Sequence, residues 1–346
     1  MDTYELQNAL YAREVASAYY LGNPRVTLID VGMKITDGVY TGEMAVRVHL
    51  RKKPPEAVIE AMRATLPELV IDKSKIPFDK VDLIEATYPL DRSWWTPWPA
   101  SPRAATFNPL HGGISLSGEW IFGYGTLGGI VEDRQTGAKM ILSNWHVLAG
   151  SEFGVPGTRI FQPGYGDYGR GPDTVALLTR HAFDQGIDAA VATLNGARDW
   201  SNNQLGIGPV TGCGTPVMDM RVIKSGRASG VTRGVIDGFA GEYPITYHGV
   251  LRSIKHVCRI VPQPGELIVS QPGDSGSMWL EQVTHQAVGL HFAGQDDPET
   301  ALAIALPEVF AALDVNFPGG SQPHQPESAE QPAAAPQERA LAMVRG

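Results

Sequence analysis

The pattern of apolar and polar positions predicts a helix followed by a hairpin at the start of the chain. Apolar side chains recur at helical spacing over residues 3–21 and stop at Gly22, which predicts a first helix. Residues 26–35 and 44–50 then predict two strands joined by a turn at 37–38. Polar and apolar residues alternate in the second strand, so we expect it to have one solvated face, with His49 at the surface or at an edge.

A second helix is predicted to begin at Pro54 or Pro55 and to run to about residue 66, because proline fits the first turn of a helix. Short strands around 70–71 and 81–86 complete a small α+β unit over residues 1–90. This unit contains no cluster of catalytic residue types. We therefore expect it to serve a structural or regulatory role, or to bind a partner such as an activator.

The composition changes to proline, serine and tryptophan over residues 91–111, which predicts a linker. This stretch contains Trp94, Trp95 and Trp98. The three tryptophans either form an exposed ligand platform or anchor the linker in a groove between two domains, and anchoring is the more common role.

Short apolar runs separated by turn residues fill residues 112–315, which predicts a mainly β protein with a barrel or sandwich. The predicted strands lie near 126–131, 139–143, 188–194, 217–224, 234–238, 251–261, 267–270, 277–281, 287–292 and 301–305. A short helix over 307–313 closes this part of the chain. Residues 316–346 are rich in proline, glutamine, alanine and glutamate, so we expect a disordered tail.

Charge and cysteine content narrow the classes of partner and the compartment. The net charge is −9 over 346 residues, and the single compact basic run is 51–53, which argues against nucleic acid and anionic membranes as partners. No stretch has the apolar length to span a bilayer, and the first residues lack the features of a signal peptide. Cys213 and Cys258 are too few for a disulfide framework. A single disulfide between them is the alternative, but we expect two free thiols in a cytoplasmic protein.

The strongest candidate chemistry lies in Gly273-Asp274-Ser275-Gly276-Ser277. A serine between glycines can expose its hydroxyl while neighbouring N–H groups converge on one point, as an acyl-transfer nucleophile requires. The same residues also form ordinary turns. Because a neutral hydroxyl is a poor nucleophile, the decision depends on a base and on a carboxylate that orients the base.

His146 is the best candidate base among nine histidines, since it follows an apolar strand whose end could place the histidine side chain at the rim of the β-structure. A histidine satisfied within the core is the alternative. Asp188 opens an apolar strand and is the candidate carboxylate; it could instead cap a turn, and Asp184 is its rival. The order His146, Asp188, Ser275 excludes the α/β-hydrolase arrangement and matches the chymotrypsin arrangement.

Residues 112–313 resemble the trypsin-like (chymotrypsin-fold) serine peptidases of the bacterial, disulfide-poor kind. The matching motifs occur in order at 143–147, 188–191, 224–234, 273–277 and 288–294. The preceding segment resembles that of narrow-leaf-type trypsin-like proteins of plants and bacteria. The resemblance implies two β-barrels with the site in the cleft between them, preceded by the small α+β domain.

The resemblance also implies a role for each site residue. Ser275 would attack a peptide carbonyl, His146 would relay the proton, and Asp188 would fix the histidine tautomer. The N–H groups of Gly273 and Ser275 would form the oxyanion hole. The implied partner is a protein or peptide substrate, with no metal and no cofactor. The competing class is a pseudoprotease that uses the barrels as a binding module, and an esterase on the same fold is a third possibility.

Two departures from the family pattern concern activation and specificity. No Ile-Val-Gly-Gly start precedes the barrels, so we expect no activation by a new N-terminus, and the partner of Asp274 is not identified by the sequence. Val269 stands where trypsin has an aspartate, which disfavours cleavage after Arg or Lys.

The remaining substrate-binding residues implied by the resemblance are Ser270, His291 and Gly294. Ser270 and His291 match positions that bind the substrate carboxylate in glutamate-specific bacterial relatives, which implies a preference for acidic P1 residues. The alternative for His291 is simple packing under its strand.

Overall fold

The computed structural model describes residues 3–36, 39–90, 101–247, 250–296 and 299–319. The turn at 37–38, the three tryptophans of the linker and the predicted tail beyond 319 lie outside the described residues. Within them, the helices are α1 (Thr3–Tyr20), α2 (Glu56–Thr65), α3 (Trp145–Leu148) and α4 (Leu306–Leu313). The strands are β1 (Val26–Thr36), β2 (Val39–Leu50), β3 (Val81–Glu85), β4 (Leu110–Gly112), β5 (Ser115–Gly118), β6 (Gly125–Thr126), β7 (Gly129–Asp133), β8 (Lys139–Ser143), β9 (Arg159–Phe161), β10 (Thr174–His181), β11 (Ala190–Leu194), β12 (Trp200–Gln204), β13 (Gly208–Pro209), β14 (Gly212–Cys213), β15 (Arg221–Gly226), β16 (Gly230–Tyr247), β17 (Val250–Pro262), β18 (Met278–Glu281), β19 (Gln286–Asp296), β20 (Glu299–Ala305) and β21 (Val315–Asn316).

The first barrel is a ring of antiparallel strands in the order β5, β9, β10, β11, β8, β7. The ring closes because β6, which leads directly into β7, pairs with β5. Closure lets neighbouring strands satisfy one another's backbone groups without an open edge. Apolar side chains such as Leu116, Ile130, Ile141 and Val191 are fully buried in this part of the core.

The second barrel is a ring of strands in the order β15, β18, β19, β20, β17, β16, with β16 pairing back to β15. Its interior contains Val222, Ile236, Trp279 and Ala303, all almost completely buried. α4 follows β20, and β21 then pairs with β7 of the first barrel. The chain is therefore mainly β, with two barrels of the chymotrypsin-like kind.

The N-terminal α+β unit is continuous with the sheet of the second barrel. β16 pairs with β15 as far as Val235 and with β1 from Gly238 to Glu242, so one long strand belongs to both. β2 and β3 extend the sheet further, and α1 packs on it through Ala9, Ala12 and Ala16. The small α+β unit that precedes the barrels is thereby confirmed. The strands expected at 70–71 and at 267–270 are wrong, because neither range forms a strand. The boundaries at 90, 111 and 315 stay predictions.

The two cysteines are free thiols, with Cys213 exposed and Cys258 buried. Burial raises the pKa of Cys258 to about 12. Among the described residues, no helix combines the length and the apolar character that a membrane span requires.

The expected solvated face of β2 is wrong, because β2 is buried on both sides from Met44 to Leu50. α1 covers the face that carries Val46 and Val48, and the second barrel covers the face that carries Arg47 and His49. The alternating polar residues of β2 therefore form a buried polar layer between the N-terminal unit and the second barrel. His49 is completely buried instead of lying at the surface.

This buried layer is a network of charges that joins the N-terminal unit to β16 and β17. Arg47 donates to both carboxylate oxygens of Asp30, at 2.8 and 2.5 Å, and to Asp237 Oδ2 at 3.2 Å. Arg259 also donates to Asp237. Pairing of this kind is required because an isolated buried charge is strongly destabilising.

His49 connects this network to Tyr88. Its Nε2 lies 3.1 Å from Asp30 Oδ1, and its Nδ1 lies 2.8 Å from the Tyr88 hydroxyl. A neutral imidazole that donates from Nε2 and accepts at Nδ1 satisfies both contacts. Burial lowers the pKa of His49, although the Asp30 carboxylate opposes this shift. Arg259 Nε donates to the same tyrosine hydroxyl at 3.2 Å, so Tyr88 is bonded from both sides of the junction.

The buried neutral His49 predicts that stability falls as the pH drops. Below about pH 6.5 the unfolded chain protonates His49, while the folded chain resists protonation because the pKa is lowered. We expect the free energy of unfolding to decrease between about pH 7 and 5. His49→Gln should show a flatter dependence in this range and should lose about 1–3 kcal/mol at pH 7. Urea unfolding at several pH values measures both.

The control is His256→Gln, because the His256 side chain is 47% exposed. This variant should retain the full pH dependence of the unmodified protein. Parallel profiles for His49→Gln and the unmodified protein would contradict a buried neutral His49.

Candidate active site

His146 is presented at the end of the first barrel by a short helix. β8 ends at Ser143 and α3 begins at Trp145, so the chain leaves the barrel immediately before His146. The Nδ1 atom of His146 lies 2.5 Å from Asp188 Oδ2, and the His146 backbone N–H donates to Asp188 Oδ1 at 3.1 Å. These two contacts fix both the ring and the backbone of His146 relative to one carboxylate.

Asp188 stands directly before β11, the strand that pairs with β8. The Asn144 side-chain amide donates to the Asp188 carbonyl oxygen at 2.7 Å, which ties the two strand ends together. Asp184 lies elsewhere: its side chain is 71% exposed and pairs with Arg252. Of the two candidate carboxylates, the structure brings Asp188 to His146.

Ser275 lies in the loop before β18, where the second barrel meets the first. Its carbonyl oxygen accepts from the N–H of Thr126 at 2.8 Å, and its Oγ donates to the Phe292 carbonyl at 3.2 Å. A Cβ added at Gly125 would lie 2.6 Å from the Val147 side chain and 3.0 Å from the Ser275 carbonyl oxygen. The serine loop and the helix of His146 therefore meet around Gly125. Ser275 is 1% exposed and His146 is 4% exposed.

The loop before Ser275 contains a turn that requires glycine. Asp274 N–H donates to the Gln271 carbonyl at 2.9 Å, with Pro272 and Gly273 between them. Gly273 has a φ of 107°, as the third residue of a type II turn does, and an added Cβ would lie 2.4 Å from the Tyr124 ring. The Gly273 N–H has no hydrogen-bond partner among the described residues, which leaves it available to an acceptor.

Asp274 has an internal partner in Lys224. The Lys224 ammonium lies 2.7 Å from Asp274 Oδ2, and both side chains are 0% exposed. Oδ1 accepts from the N–H groups of Ala228 and Ser229, at 2.9 and 3.0 Å, and Oδ2 accepts from Gln271 N–H at 3.1 Å. Burial alone would raise the pKa of Asp274, but the Lys224 charge and the side-chain hydrogen bonds from Lys224 and the Ser229 hydroxyl hold it below its usual range. The carboxylate is thus charged and saturated with donors.

Lys224 lies in the motif at 224–234, but the sequence does not identify it as the partner of Asp274. A signal was present, because Lys224 follows Val222 and Ile223 in a strand that is buried apart from its first residue. A lysine inside such a strand needs a buried anion. The sequence offers many acidic residues, and only the fold shows which one meets Lys224.

The residues expected to bind substrate lie close to the serine loop in the second barrel. Val269 is completely buried among the apolar residues of that barrel, and Ser270 is also buried. The N–H groups of Val269 and Ser270 donate to Glu299 Oε1 at 2.7 and 3.1 Å. Glu299 was missed at the sequence level, because nothing local in the sequence relates it to this loop.

His291 and Gly294 lie on β19, the strand that also carries Phe292. His291 is completely buried, and its ring centroid lies 6.3 Å from that of Trp279. Its backbone holds the serine loop: Gly276 N–H donates to the His291 carbonyl at 2.9 Å, and His291 N–H donates to the Ser277 carbonyl at 2.9 Å. Gly294 N–H donates to the Pro89 carbonyl at 3.1 Å, so a residue of the N-terminal unit reaches this strand.

Comparison with known proteins gives structural neighbours without a family assignment. No protein-family model matches the chain, and no curated protein matches it. Thermobifida fusca Protease A is similar at 17% identity and a TM-score of 0.45, over 61% of this chain and 98% of its own. Nocardiopsis protease is similar at 17% identity and a TM-score of 0.45, over 60% and 98%.

A third solved structure is a glutamic acid-specific serine protease that uses a histidine triad in substrate binding. It is similar at 15% identity and a TM-score of 0.45, over 60% of this chain and 100% of its own. These neighbours are chymotrypsin-like serine proteases.

The buried pair predicts a large effect of removing Lys224. Lys224→Met leaves Asp274 as an uncompensated buried charge, which should cost about 3–5 kcal/mol of unfolding free energy. Arg63→Met is the matched control, because Arg63 and Glu60 form an exposed pair whose loss should cost less than about 1 kcal/mol. Urea unfolding at pH 7 compares the two. Equal small losses would show that Asp274 does not depend on Lys224.

Proposed function

We propose that this chain is a serine endopeptidase with Ser275 as nucleophile, His146 as general base and Asp188 as the orienting carboxylate. The observation that carries the proposal is the double contact of Asp188 with the ring and the backbone of His146, at the junction that also contains the Ser275 loop. A carboxylate on Nδ1 leaves Nε2 as the basic nitrogen, which is the tautomer that proton removal from a serine requires.

The proposed reaction follows from these positions. His146 Nε2 accepts the Ser275 proton as Oγ attacks the peptide carbonyl, and the resulting imidazolium protonates the leaving amine. Water then hydrolyses the acyl-enzyme by the same route. The N–H groups of Gly273 and Ser275 are the proposed donors to the oxyanion, each contributing about 3 kcal/mol in sites of this type.

The Lys224–Asp274 pair supports the proposal that the protein is active without a proteolytic cleavage that creates a new N-terminus. In many zymogens of the family that this chain resembles, the ammonium group of a newly formed N-terminus pairs with the aspartate before the serine. Here Lys224 supplies a cation at 2.7 Å from Asp274, so the turn that carries Gly273 is held by the folded chain itself.

A preference for acidic P1 residues is the finer proposal, and it rests on Ser270 and His291. Two observations weaken it. His291 is fully buried beside Trp279, and the Glu299 carboxylate already lies on the backbone next to Ser270. A carboxylate at that place disfavours a second one and favours a cationic side chain.

A binding module without catalysis is the second candidate function. It is favoured by the burial of Ser275, whose Oγ donates to the Phe292 carbonyl, since a nucleophile must be reached by its substrate. For both functions we propose a protein or peptide partner, with the N-terminal unit as the place where an activator binds. A cytoplasmic location is part of the proposal and is supported by the two free thiols.

Active-site labelling tests the proposed function. A fluorophosphonate probe should label Ser275, and Ser275→Ala and His146→Ala should each lose at least about 10³-fold in labelling rate or peptide hydrolysis. Ser253→Ala is the control, because Ser253 lies outside the site and bonds to Glu242. Absence of label in the unmodified protein, in the presence of peptide substrates and candidate activators, would leave the binding module as the function.

A cleavage-site profile tests the P1 preference. With a digested proteome as substrate, cuts after Glu or Asp would support the role of Ser270 and His291. Cuts after Arg or Lys would contradict it, and they should then decrease about tenfold or more in Glu299→Gln, because the carboxylate is removed. Glu266→Gln is the control, since Glu266 pairs with Arg233.

A further inference from the structure

The edge of β19 beside Ser275 is occupied by the chain itself. Residues 87–90, which we name the edge segment, run antiparallel to β19, with Leu90 opposite Ala293. Gly294 N–H donates to the Pro89 carbonyl at 3.1 Å, and Thr87 N–H donates to Gln295 Oε1 at 2.6 Å. The other side of this part of β19 pairs with β20. β19 therefore has strand partners on both sides next to the site.

The edge segment is directed toward Ser275. Phe292 accepts the hydrogen bond of Ser275 Oγ, and Ala293 and Gly294 follow Phe292 along β19. From Pro89 to Leu90, the segment passes from Gly294 to Ala293, and hence toward Phe292. It thus has the position and the direction that an extended peptide needs if it adds a strand to β19 and presents a carbonyl to Ser275.

The edge segment and an extended peptide exclude each other at this edge. A strand that adds here needs the N–H of Gly294 as donor, and that donor already serves Pro89. Each backbone N–H supplies one hydrogen. The low exposure of Ser275 and His146 agrees with a site that is covered in this state.

Tyr88 anchors the edge segment in the buried network. Its side chain is buried, and its hydroxyl contacts His49 Nδ1 and Arg259 Nε at 2.8 and 3.2 Å. Its carbonyl accepts from the Tyr243 hydroxyl at 2.7 Å. Leu90 packs against the large apolar core. The segment is therefore held by both the N-terminal unit and the second barrel.

We propose that the edge segment is a built-in competitor of peptide binding: it closes the β19 edge at rest, and extended peptides bind only when it leaves. The catalytic consequence rests on the proposed peptidase function, but competition for the edge is a binding property and can be measured without catalysis. The ligand class is an extended peptide bound through its backbone.

Weakening the edge segment tests the competition. Leu90→Asp places a carboxylate in a partly buried apolar contact, which disfavours the docked segment. Leu90→Met is the matched control, because it conserves volume and apolar character. For probe binding both variants are made with Ser275→Ala, whereas for labelling and kinetics both retain Ser275. The probe is a fluorescein-labelled peptide Ala-Thr-Tyr-Pro-Leu-Asp, which copies residues 86–91.

Fluorescence anisotropy should show probe affinity about tenfold higher in Leu90→Asp than in Leu90→Met, because a larger fraction of molecules has a free edge. Without probe, the Gly294 amide should exchange its hydrogen faster by a similar factor in Leu90→Asp. Equal probe affinities together with unchanged Gly294 protection would overturn the proposal.

A second variant covers the case in which Leu90→Asp does not fold, as judged by loss of its cooperative thermal transition. Gln295→Ala removes the acceptor of the Thr87 N–H. Gly294 exchange should then be several-fold faster than in the parent, and unchanged exchange would overturn the proposal.

Failure of this inference and failure of the proposed function give different results. Fluorophosphonate labelling of Ser275 in Leu90→Asp, without a gain in probe affinity, overturns the competitor and retains the peptidase. A gain in probe affinity without labelling retains the competitor and overturns the peptidase. When both hold, kcat/KM for a peptide that extends along the β19 edge should rise about tenfold in Leu90→Asp.

Discussion

The buried ion pair between Lys224 and Asp274 is the interaction on which the serine loop depends. Removing two charges from water is expensive, and the pair is retained because Asp274 also accepts backbone hydrogens from Gln271, Ala228 and Ser229. These bonds fix the turn that gives Gly273 its positive φ and presents Ser275 at the barrel junction. Because Lys224 is a strand residue of the same barrel, the shape of the loop depends on contacts within that barrel.

A second buried polar layer joins the N-terminal unit to the second barrel, so the unit is part of the same packed structure. The layer consists of Asp30, Arg47, His49 and Asp237. The unit shares β16 with the second barrel, and Arg47, which pairs with Asp30 inside the unit, also donates to Asp237 of β16, which in turn pairs with Arg259 of β17. The same layer bonds the Tyr88 hydroxyl, and Tyr88 leads directly to the segment beside the site. The N-terminal unit and the edge of β19 beside the Ser275 loop are therefore connected through continuous contacts.

The sequence was most informative where local pattern and motif order agree. Short strands with turn residues predicted the mainly β fold, and the order of His146, Asp188 and Ser275 selected the three residues that the fold brings to one junction. The prediction that His49 is exposed was wrong, because alternation shows that the two faces of a strand differ but does not show what covers either face. Here the polar face is covered by β16 and β17, which lie far along the chain.

By itself the sequence determined the mainly β class and the candidate nucleophile, since periodicity and short motifs are local properties of the chain. The two barrels were implied by the resemblance to a family. Only the tertiary structure decided which carboxylate meets His146, which cation meets Asp274, and what lies on the Ser275 edge of β19. Lys224 and Asp274 are 50 residues apart, and Thr87 and Gln295 are 208 apart. Such contacts are fixed by strand pairing between segments that are distant in the sequence. The local pattern of one segment does not show which distant segment it will pair with.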